Sequence, residues 1–136
     1  MLPNAIPKPV RGDYILEREK KRAGYEKELA DAKKSAKLRD GFTCRWPEVH
    51  KCRGLLESAH YVDASLGGRP VRSNLICVCA WIHRRGPQSI HGKTLKVEPE
   101  TPHGMDGPCA FWKRATVHDE WICVGVEIQI GVLRKT

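Results

Sequence analysis

The sequence predicts a single α+β domain: a long basic N-terminal helix, a middle segment in the order strand, loop, strand, short helix, and a C-terminal β-hairpin. Three observations carry this. Between Asp13 and Arg39 there is no proline and only Gly24. Residues 41–94 are dense in Gly, Cys and His and hold two short apolar runs of strand length. Residues 95–136 contain further strand-like runs, one of which alternates apolar and polar residues. At 136 residues the chain supports one modest core, so any site must be built into that core.

The elements follow in order. Residues 1–12 contain Pro3, Pro7, Pro9 and Gly12 and read as an extended arm. Asp13 is a suitable N-cap for a helix running to about Arg39, whose apolar residues Ile15, Tyr25, Leu29, Ala32, Ala36 and Leu38 make a thin, weakly amphipathic stripe. Arm and helix together span 1–40. In the core segment, 41–94, residues 55–62 and 74–78 read as strands, and Ala80–Arg85 as a short helix stopped by Gly86-Pro87. In the extension, 95–136, strands are expected at 95–97, 110–117 and 121–132, with His118-Asp119-Glu120 turning the hairpin. In the last strand Val126, Ile128 and Ile130 alternate with Glu127 and Gln129.

Charge narrows the function. There are 24 Lys and Arg against 16 Asp and Glu, a net charge of +8. Between Lys8 and Arg39 stand eleven basic and six acidic residues, so this segment carries +5 of the excess. A solvated helix with Glu and Lys at i, i+4 spacing and a helix lying along phosphates both account for it. An excess of this size attracts polyanions, with nucleic acid first. No apolar run approaches the ~18 residues of a membrane span, and the first residues lack the apolar stretch of a signal peptide. A cytoplasmic location is the expectation, with the six cysteines as free thiols or metal ligands.

The chemistry is concentrated in the middle. Phosphodiester hydrolysis needs a base for water, a cation against the charge on the phosphoryl group, and something to hold both in register. His60 at the end of the first strand and His83 on the following helix would bracket a phosphate. Several elements in order resemble the HNH nuclease family, the His-Me finger or ββα-metal nucleases. Asp40-Gly41-Phe42-Thr43-Cys44-Arg45 is similar to the entry of such domains, and Glu57 with His60 to their first strand. Gly67-Gly68 resembles their loop, Asn74-Leu75 their middle asparagine, and Cys79 with His83 their closing helix. The run Gly86-Pro87-Gln88-Ser89-Ile90-His91 and the segment Asp106 to Cys109 resemble a phage-type subgroup.

The resemblance implies a ββα-metal core in a metal-dependent DNA endonuclease, with double-stranded DNA the favoured partner. His60 would be the general base, Asn74 would brace the loop, and His83 would bind Mg²⁺ or Mn²⁺. Where many members carry a second metal ligand before the base, this sequence has Ala59. Asp63, Glu57 and His91 are the candidates to complete the site, with His91 and Asp63 favoured over Glu57, which in the family more often braces the fold. Arg69, Arg72, Arg84 and Arg85 flank the site as phosphate contacts. Members of the family often hold a structural zinc with two CxxC pairs, whereas Cys44 and Cys52 here are separated by seven residues. Cys77 and Cys79 would supply the other two thiolates, and burial as small apolar residues is the alternative for all four. Cys109 and Cys123 read as core, His50 and His103 as exposed loop residues, His118 as a turn residue, and the four tryptophans as packing anchors.

Two other functions remain. One is a non-catalytic nucleic-acid-binding module, a degenerate copy with or without zinc. The other is an accessory subunit of a phage packaging or restriction complex.

Overall fold

A computed structural model describes residues 11–135, with side chains from residue 16. The fold is α+β: one long helix and two antiparallel sheets. Helix α1 spans Arg11–Arg39. It begins two residues before the expected cap, so Asp13 lies inside the helix, and the rest of the expected arm lies outside the described residues. From Leu16 to Glu28 every side chain of α1 is exposed, as its charge predicts. Among its described side chains, only those of the C-terminal part pack: Ala32 and Ala36 are buried against Leu75, with Leu29 beside them.

Strands β1 (Leu56–His60) and β2 (Leu75–Cys79) form the smaller sheet, with Leu56 opposite Cys79 and His60 opposite Leu75. The chain then makes one wide π-helical turn, Trp81–Arg85, closed by the Gly86 N–H donating to the Trp81 carbonyl at 2.8 Å. Such turns are short and stand out at functional sites. Strands β3 (Leu95–Pro99), β4 (Cys109–Lys113), β5 (Ile122–Gln129) and β6 (Val132–Leu133) follow in sequential order in the larger sheet. No described helix is long and apolar enough to cross a membrane.

The main core lies between the two sheets. Ala59, Ile76 and Val78 of the smaller sheet meet Leu95, Val97 and Phe111 of the larger one, with Trp46, Ile82 and Met105 closing the sides. Trp46 packs edge-on to Phe111, ring centroids 5.6 Å apart, which matches its expected anchoring role. Ala59 is fully enclosed here. A carboxylate at this position would be buried against aliphatic side chains, a physical reason for alanine where a metal ligand is otherwise expected.

The C-terminal part departs from expectation in two ways. The last strand does not run through to Val132, because Gly131 adopts a left-handed φ of 79° and folds β6 back onto β5. The alternation in β5 does not follow burial: Glu127 is 3% exposed while Ile128 is 59% exposed and Gln129 is exposed as well. Glu127 is inside because Arg45 is inside. The Arg45 guanidinium donates to Glu127 at 2.8 Å, to Asp40 at 3.2 Å, and to the carbonyls of Met105 and Gly107 at 2.7 and 2.6 Å. The side chains of Arg45, Asp40 and Glu127 are all within 2% of full burial. Of the two cysteines read as core, Cys109 is buried and Cys123 is exposed, because the outer face of β5 is uncovered.

Removing one partner of a buried ion pair strands the others. Arg45→Ala is therefore expected to cost about 3–5 kcal/mol, measured by urea unfolding. Arg45→Lys should recover little of it, since an ammonium cannot reproduce the planar fork. An unfolding midpoint unchanged from the native protein would contradict this account.

Candidate functional site

Two constellations stand on either side of the hairpin. The first is a cysteine and histidine cluster at the β2 end. Cys44 and His50 come from the coil between α1 and β1, Cys52 from the same coil, and Cys79 from the last position of β2. One ligand atom from each lies within 4.8 Å of the others. His50 Nε2 is 3.6 Å from Cys44 Sγ, 3.3 Å from Cys52 Sγ and 3.6 Å from Cys79 Sγ. A tetrahedral zinc with Zn–S of about 2.3 Å and Zn–N of about 2.0 Å separates sulfur from nitrogen by roughly 3.5 Å. The donor set and spacing therefore fit a Cys3His zinc site.

The surroundings fit as well. His50 Nδ1 is 2.7 Å from the Glu48 carbonyl, which accepts its proton and leaves Nε2 as the ligand nitrogen. The Cys79 N–H donates to Cys44 Sγ at 3.3 Å. Without a cation the thiols titrate apart. Burial pushes Cys44 up to about 12 and Cys52 upward. Burial also acts upward on Cys79, but donors including the Ile82 and Arg53 backbone and His50 outweigh it and bring that thiol to about 7. A divalent cation would resolve the mutual repulsion of the thiolates and release their protons.

The expected set of four cysteines is thus corrected at one position. Cys77 is buried, but it sits under the last turn of α1 near Lys37, Arg39 and Asp40, and burial raises its thiol to about 11. Its place is taken by His50, read from the sequence as a loop residue. The signal was present as a histidine two residues before Cys52.

The second constellation is built on the hairpin loop and the π-helical turn. The Asn74 carboxamide, buried at the start of β2, accepts from the Val62 N–H at 2.8 Å and donates to the carbonyls of Val62 at 2.9 Å and Arg69 at 3.1 Å. It pins both ends of the loop that follows His60. Gly68 is required at the same place, because a Cβ there would collide with the Val62 carbonyl. His60 Nε2 is buried and has no hydrogen-bond partner. Burial lowers the His60 pKa from its ordinary value, Lys33 adds to this, and Asp63 opposes it.

His83 and His91 are brought together, ring centroids 4.5 Å apart and rings nearly perpendicular. Glu57 accepts from His83 Nδ1 at 2.9 Å and from Arg84 at 2.7 Å. Arg84 above all, and His83 with it, hold the Glu57 carboxyl down at about 2. Glu57 thereby spans His83 and Arg84. Burial lowers His83 against the pull of Glu57. Asp63 is exposed on the loop and does not join His83 and His91 in a converging set of three; among the described residues only the Cys3His cluster forms one.

Of the expected phosphate contacts, Arg84 is paired with Glu57 and Arg72 with Asp106. Arg69 and Arg85 are exposed and enter no salt bridge among the described residues.

No family model, curated protein or solved structure matches the chain. The site's chemistry therefore rests on its own geometry.

Purified protein is expected to carry one zinc per chain by elemental analysis. His50→Ala and Cys79→Ser should lose it, with a fall in melting temperature, whereas Cys77→Ser should keep it. Zinc lost from Cys77→Ser and retained in His50→Ala would reverse the ligand assignment.

Proposed function

We propose that the protein is a metal-dependent DNA endonuclease of the HNH type, with a ββα-metal core formed by β1, β2 and the π-helical turn. The observation that carries this reading is the Asn74 clamp. One buried carboxamide holds Val62 and Arg69 so that the strand end bearing His60 has a fixed exit. A general base must be neutral and have a ring nitrogen to spare; burial lowers the His60 pKa and leaves Nε2 without a partner, and uncovering that buried nitrogen would let it meet water. On the other side, Glu57 fixes His83 through Nδ1 and leaves Nε2 for a cation, the usual way a carboxylate orients a ligating imidazole.

His83 and His91 are the residues that would hold the catalytic cation. When bound, a divalent cation there supplies charge neutralisation at the phosphoryl group and the leaving oxygen. Two imidazoles with no carboxylate favour a borderline cation, which ranks Mn²⁺ above Mg²⁺. Arg69 and Arg85 are free to meet phosphates on either flank. Contacts of this kind position the backbone without reading sequence.

The Cys3His cluster and the buried Ala59 favour a second reading, a zinc-stabilised module that grips DNA without cutting it. An accessory role in a phage packaging or restriction complex is compatible with either. Plasmid cleavage separates them. Native protein with Mn²⁺ should nick or linearise DNA, and His60→Ala should lower the rate by about 10²-fold or more. Asn74→Ala should fall between the two. DNA retarded on the gel but uncut in every divalent metal would leave the binding module standing. The pH profile is a further check. Because the base acts when neutral, activity should be lost as pH falls through the His60 pKa, so the acid limb of kcat/KM should lie below the ordinary 6.5. An acid limb above that value would exclude His60 in this environment as the base.

A further inference from the structure

A cavity of about 250 Å³ opens between the hairpin and the larger sheet, and His60 forms part of its wall. Leu95, Val97 and Met105 form its buried apolar base, Tyr61 and Trp121 its more exposed walls, and Lys93 and Arg114 its polar side together with Lys96 and Glu98, which pair with each other at 3.1 Å. Arg114 is fixed in place: its Nε donates to the Lys93 carbonyl at 2.8 Å, and its guanidinium lies 4.1 Å from the centre of the Trp121 ring. Neither Arg114 nor Lys93 enters a salt bridge among the described residues. The fold thus holds an ordered, unpaired cation beside an apolar hollow, an arrangement suited to a ligand with a flat apolar body and an anionic group.

We propose that this cavity receives one unstacked nucleotide of the DNA substrate, its base against the Tyr61 and Trp121 walls and its phosphate on Arg114 and Lys93. The volume is below the ~300–1,000 Å³ of drug-sized ligand sites, so it admits at most one nucleotide, part of it outside the hollow, and excludes a base pair. A neutral ligand would leave both cations unpaired. Since His60 walls the cavity, the nucleotide taken up adjoins the phosphodiester that His60 addresses. The inference rests on the endonuclease reading and narrows its substrate: DNA in which one nucleotide beside the cut is unpaired or readily turned out of the stack. Turning a base out costs least where it is already unpaired, so this cavity confers a preference for such sites.

The test uses full-length zinc-loaded protein, without added Mg²⁺ or Mn²⁺, and fluorescence anisotropy with three labelled duplexes. One is fully paired, one carries a central unpaired thymidine, and one carries an abasic residue at the same place. The thymidine bulge should bind at least about fivefold more tightly than the abasic bulge, the lower end of what burying one base against such a surface contributes. Arg114→Ala and Trp121→Ala, each checked for native circular dichroism, should erase that difference. Equal affinity for the two bulges overturns the cavity proposal on native protein alone, whatever the variants do. A difference that survives in both variants overturns it as well. In either case the endonuclease reading stands or falls separately on plasmid cleavage. Failure to bind any of the three DNAs overturns the cavity proposal and leaves the endonuclease reading to plasmid cleavage with Mn²⁺.

Discussion

The three parts of the chain meet at the buried guanidinium of Arg45. All of its nitrogens have partners: Asp40 at the end of α1, Glu127 in β5, and the carbonyls of the loop that leads into β4. Asp40 in turn accepts the Cys77 N–H at 2.9 Å, and Arg39 donates to the Leu75 carbonyl, so the same network grips β2. Glu127 accepts the N–H groups of Cys109 and Gly131. Buried charges of this kind are costly unless every donor and acceptor is satisfied, and here each carboxylate has several partners. What such a network imposes is register. The segments Asp40 to Arg45 and Asp106 to Cys109, separated by some sixty residues, are two halves of one connection.

That register places the two constellations. Strand β2 begins at the Asn74 clamp and ends at Cys79, one residue before the π-helical turn that presents His83. A cation at the Cys3His cluster would therefore tie down the end of the hairpin from which the turn departs. The coil from Pro47 to Leu55, past the buried Trp46, has no regular structure and supplies two of the four ligands. Its own hydrophobic contribution is small, with Val49 and Leu55 both exposed. A bound cation supplies the order that such a segment cannot obtain from burial.

The larger sheet does more than cover the hairpin. It encloses Ala59, removing that position from metal chemistry, and it leaves a hollow with a cationic side next to His60. Closure against Ala59 and access to the cavity are two aspects of the same packing. A larger or charged residue at 59 would disturb both.

The sequence by itself determined the order of elements and the local part of the site. A proline-free charged run makes α1, short apolar runs make β1 and β2, and Gly86-Pro87 ends the turn, because these signals act over a few residues. The bracing of its loop by Asn74 was implied by the resemblance of the ordered motifs, whereas the pairing of Glu57 with His83 and Arg84 was not legible in the sequence. What only the tertiary structure decided depends on residues far apart in the chain. Cys77 and Cys79 share a strand and a residue type, yet the end of α1 covers the first, while the coil carrying His50 reaches the second. Alternation in β5 could not say which side would be buried, since Glu127 is drawn inward by a guanidinium 82 residues away. Local patterning reports how a segment can fold. Which face it buries, and which of two like side chains joins a site, is settled by the charge and shape of whatever packs against it.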